Sequence, residues 1–410
     1  MSIQKNKTIV SLHLLCVVML SACTEAPDTP VQEHGGIWPG EEWATSTPGA
    51  EGVAQAVIDG IVNDINAGTY GAVDQFLFIK NGKVIADHVF GVNYDAILAA
   101  HEGEHPHLGI LEIDHQYNYD HPNWHPYYNG TKLHSMQSVT KSVTSAALGI
   151  AIDDGLIEGV QVPIAQFFED YEYDRSDPRK ADITLEDFLT MRSGIIWNNE
   201  AGYDDPEHNT NRMELSNEWI QFVLDKPMYS DPGQIYEYHD GVSVLIGKIA
   251  RQVTGKRMDL WASERLFEPI GIDDFYWKIS PDGEADTEGG LYLTTHDLAR
   301  IGYLFLRHGN WNGKQIISEK WVKASIHPVV DFGADNDKPF DSGYGYQWWV
   351  EEDEDGEPSI FVGNGYGGQF LMVAPKHDII VVFNGWDLHK EGDKSTYGIL
   401  QERILPSMKE

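Results

Sequence analysis

The residues best suited to nucleophilic chemistry are Ser138 and Lys141, which stand three positions apart. Small and apolar residues follow through Ile150, so the pair opens a predicted helix with both side chains on one face. A serine hydroxyl is a poor nucleophile unless a neighbouring group accepts its proton. A lysine amine can do so in a dry cleft, because desolvation disfavours the ammonium. The backbone N–H of Ser138 would also be an unpaired donor at the helix start, available to an oxyanion.

The histidine-rich segment 101–134 contains a second motif, HEGEH from His101 to His105, which matches the zinc-protease pattern H-E-x-x-H. That chemistry needs both imidazoles on one helical face, one turn apart. Gly103 lies inside the turn, and Pro106 biases His105 away from helical backbone angles. We therefore predict neither a catalytic metal site nor any other cofactor, and the role of the histidines stays open.

A second group of motifs begins about a hundred residues after Ser138. Pro232-Gly233 forms a predicted turn, Tyr238-His239-Asp240 follows, and the next apolar stretch ends in Val253-Thr254-Gly255. With Ser138 and Lys141, this order resembles the serine β-lactamase and penicillin-binding protein-like superfamily, in particular its class C-like branch close to 6-aminohexanoate-dimer hydrolase and related esterases. The resemblance covers roughly residues 70–390. Its further motifs here are, in chain order, Ile183-Thr184-Leu185, Ser193-Gly194, Gly289-Gly290-Leu291, Thr295-His296-Asp297-Leu298-Ala299-Arg300, Trp311-Asn312-Gly313-Lys314 and Tyr344-Gly345-Tyr346-Gln347-Trp348-Trp349.

The resemblance implies catalytic roles for three side chains. Ser138 would be the acylated nucleophile, Lys141 its partner, and Tyr238 the residue whose oxygen relays the serine proton to the leaving group. Tyr236 is the alternative tyrosine, but the spacing from the Pro-Gly turn favours Tyr238. The resemblance also implies an oxyanion hole formed by the backbone N–H groups of Ser138 and Tyr366.

Two departures from the superfamily pattern concern the substrate. Asp240 stands where the family usually has Asn, which adds a potential negative charge near the site. The strand that carries K-T-G or H-T-G in penicillin-recognising members reads Gly363-Asn364-Gly365-Tyr366. Without a cationic side chain at position 363, a contact to the carboxylate of a β-lactam or peptide is missing, a loss of about 1–3 kcal/mol. We assign Asp240, Asn364 and Gly365 to substrate binding, because the glycines let a substrate approach the strand closely.

The elements that must position these residues are strand-rich at both ends of the chain and helix-rich in the middle. Apolar residues at helical spacing predict a helix over Val53–Ile65, and Asn81-Gly82 joins the strands Asp74–Lys80 and Lys83–Phe90 in a predicted hairpin. Residues 138–310 are rich in helical patterns. The last hundred residues or so return to strands and close with a helix, at Tyr344–Val350, Ser359–Val362, Gln369–Ala374, Ile379–Phe383 and Tyr397–Leu405.

This order predicts an α+β protein, and the resemblance implies the β-lactamase/transpeptidase-like fold. An antiparallel sheet would be flanked by helices, and an all-helical lobe would be inserted into it. The β-lactamase-related domain would cover residues 53–410. Its α/β lobe would comprise about residues 53–135 and 310–410, and its helical lobe about residues 136–309. We expect the site in the crevice between the lobes.

The first 52 residues are predicted to be a targeting segment and a tether. Two lysines precede an apolar stretch over Ile9–Leu20 that is too short to span a membrane as a helix. The motif LSAC, ending at Cys23, resembles a bacterial lipobox and implies a signal peptide at residues 1–22, lipidation of Cys23 and a tether at residues 23–52. The alternative is an ordinary signal peptide with a chance cysteine. We expect a lipid-anchored protein of the bacterial cell envelope that faces the periplasm, on the outer membrane.

The composition excludes several functional classes. The chain has 410 residues, 29 basic and 64 acidic side chains and a formal net charge of −35, which would repel nucleic acids and anionic membrane surfaces. Its 12 Trp, 19 Tyr and 15 Phe suffice for a buried core, so it is not an acidic disordered chain. The chain has two cysteines, of which Cys16 would leave with the signal peptide, so we expect no disulfide, thiolate metal site or cysteine nucleophile.

These observations predict a serine hydrolase that cleaves an ester or amide of a small molecule through an acyl-enzyme intermediate. A penicillin-binding D,D-carboxypeptidase or a β-lactamase is the alternative within the superfamily. An inactive ligand-binding lipoprotein of the cell envelope is the alternative from another class, which Asp240 permits and the intact Ser138, Lys141 and Tyr238 disfavour. We expect no nucleic acid as a partner. We expect contact with a membrane only through the lipid anchor. The sequence leaves the substrate and the oligomeric state open.

Overall fold

A nine-stranded sheet forms the frame of the protein in the computed structural model, which describes residues 36–102, 125–199, 202–203, 205–333 and 343–408. The described strands are β1 (Ala44–Thr45), β2 (Val73–Lys80), β3 (Lys83–Val89), β4 (His134–Ser135), β5 (Tyr276–Trp277), β6 (Leu291–Leu293), β7 (Asn310–Trp311), β8 (Lys314–Gln315), β9 (Val330–Asp331), β10 (Gly343–Tyr344), β11 (Trp349–Glu352), β12 (Pro358–Gly365), β13 (Gln369–Ala374) and β14 (Ile379–Gly385). Across the large sheet they lie in the order β1-β3-β2-β14-β13-β12-β11-β10-β9. β1 runs parallel to β3, and the other neighbouring pairs of this sheet are antiparallel.

The α-helices in the described ranges all lie between β1 and β9 in the chain. The α-helices in the described ranges are α1 (Gln55–Asn66), α2 (Tyr94–Ala100), α3 (Pro126–Asn129), α4 (Val139–Asp153), α5 (Arg179–Asp182), α6 (Leu185–Leu189), α7 (Asn209–Glu214), α8 (Trp219–Leu224), α9 (Asp240–Thr254), α10 (Met258–Ala262), α11 (Thr295–Leu306) and α12 (Glu319–Ser325). The short strands β4, β6 and β5 form a small separate sheet that borders the start of α4.

The predicted N-terminal hairpin is confirmed as β2 and β3. Asn81 and Gly82 both have positive φ, 53° and 73°, as a two-residue turn between right-twisted strands requires. β14 pairs with the other edge of β2, so strands from the two ends of the chain join one sheet, as the sequence predicted.

Helices cover both faces of the centre of the sheet. Successive residues of a strand point to opposite faces. Leu371 and Val382 therefore pack in a cluster that includes residues of α4 and α11, whereas Met372 and Val381 pack in a second cluster with α1 and the C-terminal turns. Because neither face meets water, β13 and β14 are almost continuously apolar.

Helix α4 is buried along most of its length, between the sheet and α9. It packs against β12, α9, α10 and α12, and its residues Val139–Ala151 are all buried. Small side chains permit these close contacts: a Cβ atom at Gly149 would lie 2.3 Å from the Trp321 indole. The helix that begins after Ser138 is thus fixed from several sides, which suits a residue that must hold its position.

Two predicted elements differ from the structure. The predicted strand Tyr344–Val350 is divided, because Gln347 adopts a φ of 66° and its backbone N–H donates to the carbonyls of Leu189 and Gly345 instead of to a strand. The predicted C-terminal helix is not an α-helix. It consists of successive 3₁₀, π and 3₁₀ turns at Thr396–Gly398, Leu400–Ile404 and Leu405–Ser407.

Candidate active site

Ser138 lies where a short strand turns into the buried helix α4. β4 pairs with β6 and fixes the chain just before this turn. Gln137 has a φ of 48°, which is uncommon for a residue with a side chain, and its amide donates to Ser135 Oγ at 2.7 Å. Ser138 is the N-cap of α4, yet its hydroxyl makes no capping hydrogen bond. The hydroxyl therefore stands at the helix start, as predicted, and remains available to other groups.

Lys141 is brought to Ser138 as the spacing predicted. The amine is 1% exposed, and it donates to Ser138 Oγ at 2.9 Å and to the backbone carbonyl of Glu288 at 2.7 Å. Its Nζ also lies 2.7 Å from Asp240 Oδ1 and 3.4 Å from Glu288 Oε2. The nucleophile candidate is thus linked through one buried amine to two carboxyl groups.

The charge state of Lys141 differs from the sequence-based expectation of a neutral amine. Burial alone would lower the pKa of Lys141, but the adjacent negative charges, that of Asp240 foremost, raise the pKa well above its ordinary value. The expectation was wrong because the sequence did not place a carboxylate within contact of the amine. In this geometry Lys141 is an ammonium at every ordinary pH.

Tyr238 is the tyrosine that meets Ser138 and Lys141. Lys141 Nζ lies 5.1 Å from the centre of the Tyr238 ring. Burial raises the pKa of Tyr238, while the charge of Lys141 and hydrogen bonds with Ser138 and Lys141 act in the opposite direction. Tyr236 instead packs edge-on against Phe332 and Trp349. The structure therefore places Tyr238, and not Tyr236, with the predicted pair.

Asp240 is the first residue of α9 and is 1% exposed. Its Oδ1 contacts Lys141, and its Oδ2 accepts a hydrogen bond from Thr210 Oγ1 at 2.5 Å. Burial would raise the pKa of Asp240, but the charge of Lys141 and hydrogen bonds from Lys141 and Thr210 lower it. We predicted that Asp240 binds substrate. With both oxygens on protein groups, the placement favours a role through Lys141 over direct contact.

Glu288 is a site residue that sequence reasoning missed. Its carbonyl accepts from Lys141, and its carboxyl group is 6% exposed. Burial, together with the negative charges of Asp286 and Asp240, raises the pKa of Glu288 to about 8, against the opposing effect of Lys141. The signal that could have found it is its position directly before Gly289-Gly290, a motif of the resemblance.

The strand edge predicted to bind substrate lies beside the start of α4. β11 pairs with β12 only as far as Val362, so no strand covers that edge of residues 363–365. Cβ atoms at Gly363 and Gly365 would lie 2.8 Å from Val139 Cγ1 and 2.5 Å from the Met136 carbonyl oxygen. Both glycines are therefore needed for close packing. Successive side chains of a strand point to opposite faces of the sheet, so the Asn364 side chain points away from α4. The backbone of this strand, and not the Asn364 side chain, therefore lies beside the start of α4.

Tyr366, the second predicted oxyanion residue, follows Gly365 in the turn between β12 and β13. Its ring lies 4.9 Å from that of Tyr203, which belongs to the segment before α7. Since Gly365 packs against Met136, the turn that carries Tyr366 adjoins the segment that leads into Ser138.

Gln347 is a second residue whose position the sequence did not reveal. Its backbone carbonyl accepts from Ser142 Oγ of α4 at 2.7 Å, and its Oε1 accepts from Ser243 Oγ of α9 at 2.9 Å. Its amide nitrogen donates to backbone carbonyls of α6. The turn that divides the predicted strand thus holds the helices carrying Lys141 and Asp240 together.

Several predictions fall elsewhere. His101 caps the C-terminal end of α2, whereas residues 103–105 of the zinc-protease motif, like the predicted signal peptide and Cys23, lie outside the described residues. Within the described ranges, no group of three residues is arranged to hold a metal ion, and no helix is long and apolar enough to cross a membrane.

A cavity of about 880 Å³, lined in part by Asp74, Asp87 and His134, does not include Ser138.

Known proteins share both the sequence pattern and the architecture. The beta-lactamase family model matches residues 58–402. A 6-aminohexanoate-dimer hydrolase from Paenarthrobacter ureafaciens is 26% identical over 271 residues, which span 62% of this chain and 66% of that hydrolase. The structure of a penicillin binding protein from Bacillus halodurans has a TM-score of 0.58 at 15% identity and covers 84% of this chain and 98% of its own. A family VIII carboxylesterase structure has a TM-score of 0.55 at 15% identity and covers 84% and 92%.

These matches confirm the predicted fold, in which a largely antiparallel sheet is flanked by helices. At the level of the family they also confirm the predicted class, a serine hydrolase of the β-lactamase-like superfamily. With the model matching most of its length, the chain belongs to the beta-lactamase family.

Proposed function

We propose that this protein is a serine hydrolase that opens an ester or amide bond through an acyl-enzyme on Ser138. One observation carries the proposal: Lys141 Nζ lies 2.9 Å from Ser138 Oγ at the start of a buried helix and 5.1 Å from the centre of the Tyr238 ring. A buried cation costs free energy of desolvation, so its retention beside a hydroxyl that caps nothing supports a catalytic role.

The reaction would proceed in two steps. Ser138 Oγ bonds to the substrate carbonyl carbon as its proton passes to the Lys141–Tyr238 pair, while the carbonyl π electrons move to the oxygen, and the N–H groups of Ser138 and Tyr366 stabilise the resulting oxyanion. Tyr238 delivers a proton to the departing alkoxide or amine, which completes the acyl-enzyme. Water then attacks the acyl group, and the proton transfers run in reverse to release Ser138.

The substrate would be a linear ester or amide without a carboxylate that needs a cationic partner. Gly363 packs against Val139, which leaves no room for a cationic side chain at the position that holds one in penicillin-recognising members. One matched relative is named a 6-aminohexanoate-dimer hydrolase and one matched structure a carboxylesterase, and these names support a substrate of the ester or amide class. Efficient turnover of a cephalosporin would contradict this part of the proposal.

Substitution of the nucleophile tests the proposal. Ser138→Ala should abolish turnover of a nitrophenyl ester and labelling by a fluorophosphonate, with unfolding unchanged. Ser145→Ala is the matched control, because the Ser145 hydroxyl is buried in the same helix and has no hydrogen-bond partner among the described residues. Turnover by Ser138→Ala at the wild-type rate, or a fluorophosphonate adduct on another residue, would end the proposal and leave the inactive lipoprotein as the better interpretation.

We further propose that the protein is a lipoprotein anchored through Cys23, facing the periplasm on the outer membrane of a bacterial envelope. The lipobox-like motif before Cys23 and the prolines at positions 27, 30 and 39 support this location. The tether would be shorter than the predicted residues 23–52, because Trp43 is buried and β1 at Ala44–Thr45 joins the sheet. The native protein should leave the membrane fraction with detergent and not with high salt. Release by salt alone would contradict lipidation.

A further inference from the structure

Asp240 is in contact with Lys141, at the position where the family usually has Asn. Resting on the proposed function, we propose that Asp240 is the final acceptor of the proton that Ser138 releases, with Lys141 passing the proton between them. The inference concerns how the nucleophile is activated in this chain.

The Lys141 ammonium is surrounded by oxygen atoms. Lys141 Nζ donates to Ser138 Oγ at 2.9 Å, to the Glu288 carbonyl oxygen at 2.7 Å and to Glu288 Oε2 at 3.4 Å, and it forms an ion pair with Asp240 Oδ1 at 2.7 Å. An ammonium has no lone pair, so Lys141 cannot take the proton of Ser138 before it gives up one of its own. An amide carbonyl is a negligible base, which makes Asp240 Oδ1 the nearest site that can receive it.

The step is balanced in protons and electrons. Ser138 Oγ forms a bond to the substrate carbonyl carbon as its O–H proton moves to Lys141 Nζ, and one N–H proton of Lys141 moves to Asp240 Oδ1. The carbonyl π electrons go to oxygen. Lys141 begins and ends as an ammonium, Asp240 becomes a neutral acid, and the oxyanion carries the negative charge. When the leaving group departs, Asp240 returns its proton through Lys141 to Tyr238, which protonates the leaving group.

Other titratable groups around Asp240 do not replace it. The groups that face it from the neighbouring elements are Lys141 of α4, Tyr203, His208 and Glu214 at or before α7, Tyr238 and His239 before α9, Glu288 before β6, and Tyr344 of β10. Burial raises the pKa values of the tyrosines and lowers those of the histidines, that of His239 to about 3, so the tyrosines and histidines are neutral near pH 7. Burial also raises the pKa of Glu214 well above its ordinary value, which disfavours its charged form. Glu288, whose pKa is raised to about 8, is also mainly protonated at that pH.

The test makes two comparisons. Asp240→Asn is compared with wild type, and the double variant Asp240→Asn/Glu288→Gln is compared with the single variant Glu288→Gln. The second pair is needed because Glu288 could ionise and replace Asp240 once the negative charge of Asp240 is gone. We expect each Asp240→Asn change to lower kcat at pH 7 roughly a hundredfold with little change in KM. In the Glu288→Gln background, activity should then rise with pH, as Lys141 loses its counter-ion and becomes a neutral base.

A proton inventory in H₂O/D₂O mixtures gives a readout that a structural role would not move. Two protons in flight predict a curved dependence of kcat on deuterium fraction for wild type and a linear one for the double variant. Glu284→Gln is the control, because Glu284 is 3% exposed and pairs with Lys248 and Arg251 on the same helix as Asp240. It should lower stability and leave the pH profile and the inventory as in wild type.

The rate of fluorophosphonate labelling of Ser138 separates this inference from the proposed function, since it reports activation of the hydroxyl without any substrate. If wild type is labelled but hydrolyses no ester or amide, the proposed function fails. A double variant with the pH profile and the curved inventory of wild type would overturn the inference. Loss of activity in Glu288→Gln with full activity in Asp240→Asn would also overturn it, because Glu288 would then be the acceptor.

Discussion

Lys141 and Lys278 are both almost completely buried, with 1% and 2% of their surfaces exposed, and both are attracted by Glu288. Their protonation nevertheless shifts in opposite directions. Negative charge, mainly that of Asp240, raises the pKa of Lys141, whereas burial lowers the pKa of Lys278 to about 8 despite Asp286, Glu214 and Glu288.

The difference lies in the carboxyl groups around each lysine. The pKa of Asp240 is lowered, so it carries a full negative charge in contact with Lys141. The pKa values of Asp286, Glu214 and Glu288 are all raised, chiefly by burial, so these acids offer Lys278 less charge. A buried amine therefore keeps its proton more firmly when its neighbour is itself ionised, and the pKa of Asp240 is lowered first by Lys141 and then by the hydrogen bond from Thr210.

The largest expected effect is a difference between Lys141→Met and Lys278→Met. Removal of Lys141 leaves Asp240 buried without a counter-ion, which should cost about 3–5 kcal/mol of unfolding free energy at pH 7. It should also lower kcat roughly a thousandfold, because proton transfer from Ser138 is lost. Lys278→Met should lower kcat less than about tenfold, since Lys278 does not contact Ser138 in the described structure. Ester turnover and denaturant unfolding measure both effects, and equal losses of kcat would refute the contrast.

The local sequence pattern was sufficient to predict much of the fold and the pairing of Ser138 with Lys141. The spacing of Ser138 and Lys141 requires only one helical turn, and Asn81-Gly82 determines a hairpin within a few residues. The division of the predicted strand at Gln347 could not be foreseen in this way, because its partners lie on helices more than a hundred residues earlier in the sequence. The aromatic residues on either side of Gln347 are typical of a strand, wherever in the fold the strand lies.

The charge state of the site depends on still longer separations. Lys141 and Asp240 come from different helices, and the backbone of Glu288 reaches the amine from a third segment. The sequence contains both acids but does not give their distances from Lys141. A pKa shift depends on distance and burial together. The same gap explains why Asp240 was predicted to touch substrate.

A smaller effect is expected from Glu288→Gln, and it concerns how stability varies with pH. Because the pKa of Glu288 is raised from 4.5 to about 8, the folded protein holds a proton that the unfolded chain has lost over this range. Its contribution to stability is complete below pH 4.5 and falls as pH rises towards 8, by at most about 1.4 kcal/mol per pH unit. The variant should lack this decline and be relatively more stable above pH 8, as chemical denaturation between pH 5 and 9 would show. A parallel decline in both proteins would contradict the assignment.

The smallest effect should come from Thr210→Val, which tests why Asp240 stays ionised. The hydroxyl of Thr210 donates to Asp240 Oδ2, and this bond helps to lower the pKa of the carboxyl group. Its loss should raise that pKa towards its ordinary value, because one of the interactions that favour the charged form is removed. The acid limb of the activity profile should then move upward by the same amount, while activity at pH 7 changes little because Lys141 still holds Asp240 ionised. Thr210→Ser keeps the hydroxyl and should restore the wild-type limb. If the valine and serine variants share one acid limb, the contact with Lys141 alone keeps Asp240 charged, and Thr210 has no part in the difference between the two lysines.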